Sequence, residues 1–157
     1  MVKKKSLEWR NCSEEELRER IDGEILGLFG PNVIVFLEGE MGAGKSSLVR
    51  VLMRQLAPKV ASQGSPTFPL VQEYRAEKGF PIYHMDLYRL KNEAELEDSG
   101  IEAQIEERGA LVFIEWASLF EDYFSFYQSN PERISKKSIQ IFIEPGESET
   151  RNYRMLF

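Results

Sequence analysis

The chain has 157 residues, of which 42% are hydrophobic and 29% are charged. That length and composition suffice for one folded domain with a core. The formal net charge of −6 makes the whole chain a poor ligand for a polyanion. A single cysteine, Cys12, excludes an internal disulfide and a cysteine-based zinc site. No apolar run reaches the roughly 18 residues of a membrane span, and no apolar segment completes a signal peptide after residues 3–5. We therefore expect one cytoplasmic domain over residues 1–157, with residues 1–5 as a disordered basic tail.

The first half of the chain predicts a helix, a buried strand and a second helix. Ser13 and Glu16 have the spacing of a capping box, and apolar residues recur at helical spacing as far as Leu28. This pattern predicts a helix of about four turns. Residues 33–37 are an unbroken apolar run, which is typical of a strand buried on both faces. A glycine-rich turn follows, and leucines four residues apart predict a second helix over residues 45–56.

The second half alternates strands with short helices. A turn at Lys78-Gly79 joins two predicted strands, 68–75 and 81–88, and Asn92 has the position of a helix N-cap. The remaining predicted elements are a strand at 110–114, a helix at 118–127, and strands at 139–143 and 153–156. This order predicts a three-layer α/β fold with a mostly parallel central sheet and antiparallel edge strands.

Residues 39–46 match the phosphate-binding motif G-x-x-x-x-G-K-[ST] at every fixed position. The motif follows the first buried strand and opens the second helix, which is the context that it requires. In such a loop the backbone N–H groups bind phosphate oxygens, the lysine reaches the β- and γ-phosphates, and the serine hydroxyl ligates Mg²⁺. The predicted nucleotide-binding residues are therefore Gly39, Glu40, Met41, Gly42, Ala43, Gly44, Lys45, Ser46 and Ser47.

A magnesium–nucleotide site also needs a carboxylate at the end of a neighbouring strand. The apolar strand that begins at Leu111 ends at Glu115, and the strand that begins at Pro81 carries Asp86 near its end. The sequence pattern does not choose between these two acids. Each has the alternative interpretation of a solvated acid where a strand leaves the sheet.

Four sequence blocks, in one order, resemble the TsaE family over roughly residues 12–156. Residues 39–47 resemble G-D-L-G-A-G-K-T-T, and residues 65–74 resemble S-P-T-[FY]-T-L-V-x-E-Y, with Pro69 where threonine is common. Residues 83–90 resemble Y-H-x-D-L-Y-R-L, and residues 114–116 match I-E-W. Members of this family are small bacterial ATPases needed for the N6-threonylcarbamoyladenosine modification of tRNA.

The resemblance implies a P-loop NTPase-like fold and a single ATPase domain that uses ATP and Mg²⁺. Lys45 and Ser46 would hold the phosphates and the metal, and Glu115 would complete the metal site or position the attacking water. Asp86 would be required for hydrolysis near the γ-phosphate. Ser65, Pro66 and Thr67 would form a switch that senses the nucleotide. The implied partner is a TsaB–TsaD heterodimer, in which TsaD performs the transfer, so that contact with tRNA would be indirect and no membrane is involved.

Other residues near these blocks have open interpretations. Trp116 could flank the site or be a core aromatic residue. His84, the only histidine, is expected to be a packed neutral residue, because no second histidine or cysteine is available to form a zinc site with it. The chain has no evident arginine finger, so we expect slow hydrolysis that a partner stimulates.

Two other functions fit a phosphate-binding loop in a chain of this size. The first is a small-molecule kinase, although no arginine-rich lid segment is apparent. The second is a nucleotide-gated adaptor with negligible hydrolysis. A GTPase is disfavoured because the sequence contains no N/T-K-x-D motif.

Overall fold

A seven-stranded sheet runs through the protein, and helices cover both of its faces. The computed structural model describes residues 3–61 and 70–157. The strands are β1 (Ser6–Cys12), β2 (Val33–Glu38), β3 (Val71–Arg75), β4 (Pro81–Asp86), β5 (Leu111–Glu115), β6 (Lys137–Pro145) and β7 (Arg151–Leu156). The helices are α1 (Glu14–Arg20), α2 (Lys45–Leu56), α3 (Pro58–Ala61), α4 (Glu93–Asp98), α5 (Glu102–Glu106) and α6 (Glu121–Ser129).

The spatial order of the strands is β1-β7-β6-β2-β5-β4-β3. The pairings among β6, β2, β5 and β4 are parallel, whereas β1–β7, β7–β6 and β4–β3 are antiparallel. The prediction of a mostly parallel sheet is therefore right for the four central strands only. Antiparallel pairing extends further than predicted because β1 adds an unforeseen strand beside β7 and a short turn joins β6 to β7.

Two clusters of buried side chains, one on each face of the sheet, confirm the predicted three layers. On one face, Val35 and Leu37 of β2 pack with Leu48 and Leu52 of α2 and with the first helical segment. On the other face, Phe36 packs with side chains from α4, α5 and α6. Alternate residues of β2 thus face opposite clusters, which explains why its sequence is apolar without a break. No helix in the described part of the chain is long and apolar enough to cross a membrane.

Two elements near the N-terminus differ from the prediction. The strand β1 was not predicted, because it is an edge strand in which only Trp9 and Cys12 are buried and apolar alternation is weak. Lys5, assigned above to a disordered tail, exchanges two backbone hydrogen bonds with Phe157 and so continues the pairing of β1 with β7 by one residue. The capping box at Ser13 is confirmed. The helix that it starts is α-helical only to Arg20 and continues as a π-helical turn and a 3₁₀ turn, in a stretch where glycine recurs and helix propensity is low.

The helix predicted over residues 45–56 and the strand predicted over residues 33–37 are confirmed, and the loop between them packs closely on β6. A Cβ atom added to Gly39 would lie 2.6 Å from the main-chain oxygen of Ile143 and 3.1 Å from Cβ of Ala43. The main chain of Gly39 can therefore approach β6 only because it carries no side chain. This contact fixes the start of the loop relative to the sheet.

We predict that Gly39→Ala lowers the free energy of unfolding by about 1–3 kcal/mol, since a methyl group at this position overlaps main chain that cannot move without disturbing β6. Urea denaturation measures the effect. Gly30→Ala is the matched control, because a Cβ at Gly30 meets nothing within 4 Å. Equal stabilities of the two variants would contradict the close packing of the loop on β6.

Candidate functional site

The loop 39–44 delivers the N-terminus of α2 to the carboxyl edge of the parallel strands. Gly44 lies at the N-cap with φ 110°, a left-handed conformation that favours glycine, and no side chain caps the helix. The N–H groups of the first turn of a helix have no intrahelical partner, and the helix dipole places positive potential there. The combination of an uncapped helix and a glycine loop forms a cradle for an anion.

Lys45 places its ammonium group inside this loop. The residue is buried, and its Nζ donates hydrogen bonds to the main-chain oxygens of Gly39 and Glu40, the latter at 3.0 Å. The same Nζ lies 3.9 Å from the ring centroid of Trp116. Burial lowers the pKa of Lys45 below its usual value, and nearby carboxylates, that of Glu115 foremost, act in the opposite direction. A cation is thus fixed beside the anion cradle.

A hydrogen-bonded network joins α2 to two neighbouring strands. The Ser46 hydroxyl donates to the carboxylate of Glu115, with distances of 2.9 and 3.1 Å to the two oxygens. His84 Nε2 lies 2.6 Å from Oε1 of Glu115, whose residue is only 2% exposed. A buried carboxylate needs such partners, because an unpaired charge is costly away from water. His84 is thus packed between the strands, as expected, and in addition contacts Glu115, a partner that the sequence analysis did not predict.

The structure brings together the two acids between which the sequence did not choose. Asp86 and Glu115 are register partners at the ends of the parallel strands β4 and β5. Asp86 is exposed, and its Oδ1 accepts a hydrogen bond from the backbone N–H of Tyr88 at 3.1 Å. Glu115 is buried and bound by two side chains, whereas Asp86 faces open solvent. The two carboxylates therefore suit different tasks.

Most of the predicted site residues that the structure describes meet at one cleft of about 260 Å³, but Gly39, Glu40 and Ala43 do not line it. Its lining residues are Met41, Gly42, Gly44, Lys45, Ser46, Ser47, Asp86, Tyr88, Glu115, Trp116 and Arg151. Ser65, Pro66 and Thr67, the predicted switch, lie outside the described residues.

The donor set of the cleft fits magnesium held together with a phosphate ligand. Within residues 3–61 and 70–157 no group of three or more histidine, cysteine, aspartate or glutamate side chains could hold a metal ion alone. Mg²⁺ commonly takes one or two protein oxygens and completes its coordination with phosphate oxygens and water. Ser46 and Glu115 supply two oxygens beside an uncapped helix and a lysine, so the chemistry of the residues agrees with a magnesium–phosphate ligand.

The cleft contains side chains that the sequence analysis missed or left open. Trp116 has a positive φ of 66° and lines the cleft, where its ring contacts Tyr88 with centroids 4.9 Å apart. Arg151 lies against Gly44, although the two residues are far apart in the sequence. Its position two residues before the predicted last strand carried no signal, because strand order decides which loop lies beside the phosphate-binding motif.

We predict that His84→Leu lowers the free energy of unfolding by about 1–3 kcal/mol, because it leaves Glu115 buried with one partner fewer. His84→Gln retains an N–H donor and should recover part of the loss. Thermal and urea denaturation of both variants measure the difference. A His84→Leu protein as stable as the parent would contradict the role given to His84.

Comparisons with known proteins agree with this architecture. The model of the family described as "Threonylcarbamoyl adenosine biosynthesis protein TsaE" matches residues 12–153. A tRNA threonylcarbamoyladenosine biosynthesis protein TsaE from Bacillus subtilis is 30% identical over 149 residues, which cover 94% of this chain and 83% of that protein. A protein of the same name from Rickettsia conorii is 42% identical over 91 residues, 58% of this chain, and the match spans half the length of that relative.

A solved structure supports the fold alone. The crystal structure of YdiB from Bacillus subtilis superposes with a TM-score of 0.65 at 24% identity, covering 99% of this chain and 88% of that chain.

The family model, in contrast, matches most of the chain, and the matched residues include the loop, Asp86 and Glu115. On this evidence, the chain belongs to the TsaE family.

Proposed function

We propose that the chain binds ATP with Mg²⁺ and hydrolyses it, as the nucleotide-dependent component of threonylcarbamoyladenosine formation on tRNA. The observation that carries the proposal is the contact between the Ser46 hydroxyl and the buried Glu115 carboxylate, at the uncapped start of α2. Membership of the TsaE family supports the tRNA-modifying role, since the relatives described above carry that function in their names.

Each group at the cleft has a task in this proposal. The loop N–H groups and the Lys45 ammonium would bind the phosphates, and Ser46 and Glu115 would hold the metal. Mg²⁺ would offset charge that develops on the phosphate oxygens during hydrolysis. His84 would keep the Glu115 carboxylate turned toward Ser46.

Asp86 is the better candidate for orienting the attacking water. Glu115 is 2% exposed, is already bound to Ser46 and His84 and is assigned to the metal, so its oxygens are engaged. Asp86 lies beside Glu115 in register, is exposed, and lines the cleft. Phosphoryl transfer to water requires a group that positions the nucleophile more than it requires covalent chemistry. An exposed carboxylate next to the metal-binding acid meets that need.

The rim of the cleft supports a role in a protein complex. Met41 is 64% exposed and Tyr88 is 49% exposed, and both line the cleft. Large exposed apolar side chains at the mouth of a site are typical of surfaces that bind a partner. We infer that a TsaB–TsaD heterodimer contacts this rim and thereby senses the nucleotide. The net charge of −6 agrees with a component that leaves most of the tRNA contact to that partner.

Nucleotide binding and hydrolysis test the first part of the proposal. We expect calorimetry on nucleotide-free protein to detect binding of ATP and ADP in the presence of magnesium, and Lys45→Ala to abolish it.

Asp86→Asn should retain ATP binding and reduce the rate of phosphate release by at least about 100-fold, the lower range for loss of acid–base catalysis.

The alternatives give different results in the same assay. Phosphorylation of an added metabolite in place of phosphate release would indicate a kinase. Normal tRNA modification by Asp86→Asn protein that binds ATP but does not hydrolyse it would indicate an adaptor. Absence of any nucleotide binding by the folded parent protein would overturn the proposal.

The inferred contact with a TsaB–TsaD heterodimer is tested by measuring whether this protein captures the purified heterodimer. We expect capture of the heterodimer to require ATP and to fail with Lys45→Ala. Met41→Ser and Tyr88→Ser should each weaken capture by about tenfold, because they remove exposed apolar area at the cleft. Phe126→Ser is the control, since Phe126 is 41% exposed but does not line the cleft. An equal loss with Phe126→Ser, or capture that ignores ATP, would refute this assignment.

A further inference from the structure

Arg151 is in direct contact with the loop that forms the anion cradle. A Cβ added to Gly44 would lie 2.8 Å from Cδ and 3.0 Å from Cζ of Arg151, and closer still to Nε. The absence of a side chain at Gly44 therefore makes room for the guanidinium group. Arg151 lines the same cleft as Lys45, Ser46 and Glu115.

The fold holds the backbone of Arg151 firmly in this position. The residue begins β7, where it pairs with Pro145 on one side and Cys12 on the other. The Asn11 side-chain oxygen accepts a hydrogen bond from the backbone N–H of Glu147 at 2.9 Å, and the backbone N–H of Asn11 donates to the side-chain oxygen of Asn152 at 2.7 Å. These bonds tie the turn before β7 to the end of β1. The backbone of Arg151 is thus held by strand pairing and is not part of an unpaired loop.

The guanidinium group has no carboxylate partner among the ion pairs of the described residues, which instead engage Arg10, Arg18, Arg20 and Arg54. Arg154 lies three residues further along β7, and its guanidinium is placed over the Phe142 ring at 4.2 Å. Neither Arg151 nor Arg154 takes part in an ion pair of the described residues, and the two differ in that Arg151 lines the cleft whereas Arg154 lies over Phe142. A planar guanidinium in such a position is well suited to a phosphate group.

Arg151 reaches the loop from the side opposite to the acids. In the sheet order, β7 lies beyond β6 on one side of β2, and β5 and β4 lie on the other side. Glu115 and Asp86, at the ends of β5 and β4, mark the metal end of the site. With the terminal phosphates at that end, the side of β2 on which β6, β7 and Arg151 lie is open to the rest of a nucleotide.

We propose that Arg151 binds the nucleoside-proximal phosphate of the bound nucleotide, as a further binding residue of the site. The proposal rests on the function proposed above. Under this proposal the affinity for the nucleotide comes from Arg151 as well as from Lys45. The contact would be made with ADP and with ATP, because both carry that phosphate.

The test is the dissociation constant for ADP with magnesium, measured by calorimetry on the full chain. Arg151→Met retains an apolar stem against Gly44 and removes the charge, and we expect it to weaken ADP binding by about tenfold or more. Arg154→Met removes the same charge from the same strand and should leave the affinity unchanged. Melting temperatures without nucleotide show whether each variant folds, and Arg151→Gln replaces Arg151→Met if the latter does not.

The outcomes separate this inference from the proposed function. Parent-like ADP affinity in a folded Arg151→Met or Arg151→Gln protein, with binding abolished by Lys45→Ala, would overturn the role of Arg151 and leave the proposed function intact. An equal loss with Arg154→Met would also overturn it, because the effect would then come from net charge. A folded parent protein that binds no ADP would overturn both.

Discussion

The site depends on the hydrogen bonds that the buried Glu115 carboxylate makes with its neighbours. Glu115 lies at 2% exposure and is bound by Ser46 from α2 and by His84 from β4. A carboxylate removed from water in this way is tolerated only with partners, and here each partner comes from a different element. The helix α2 and the strands β4 and β5 are therefore joined through a single carboxylate.

The sheet topology explains why this arrangement can form. Parallel strands bring their carboxyl ends to one edge, and β2, β5 and β4 end there with the loop, Glu115 and Asp86. The antiparallel strands β7 and β1 close the other side of β2 and carry Arg151 toward the same loop. Acidic groups thus reach the cleft from one side of β2 and a basic group reaches it from the other.

Much of this site was predictable from local sequence, and the remainder was not. The strand that begins at Val33, the helix that begins at Lys45 and the acid at Glu115 follow from apolar runs and a fixed motif, which are local signals. The contact of His84 with Glu115 and that of Arg151 with Gly44 depend on which strands are neighbours. Which strands lie side by side is decided by the topology of the whole sheet. The unpredicted strand β1 shows in addition that an edge strand has a weak signal in the sequence.

The indole of Trp116 has a consequence for how the cleft can be observed. Its ring lies 3.9 Å from the Lys45 ammonium and also contacts Tyr88. The other indole, that of Trp9, is buried on the edge strand β1 against Tyr153. We therefore expect the fluorescence of Trp116 to respond to a movement of the nearby ammonium group, whereas Trp9 lies away from the cleft, beside the guanidinium of Arg20. The protein carries its own optical reporter of the cleft, without an attached dye.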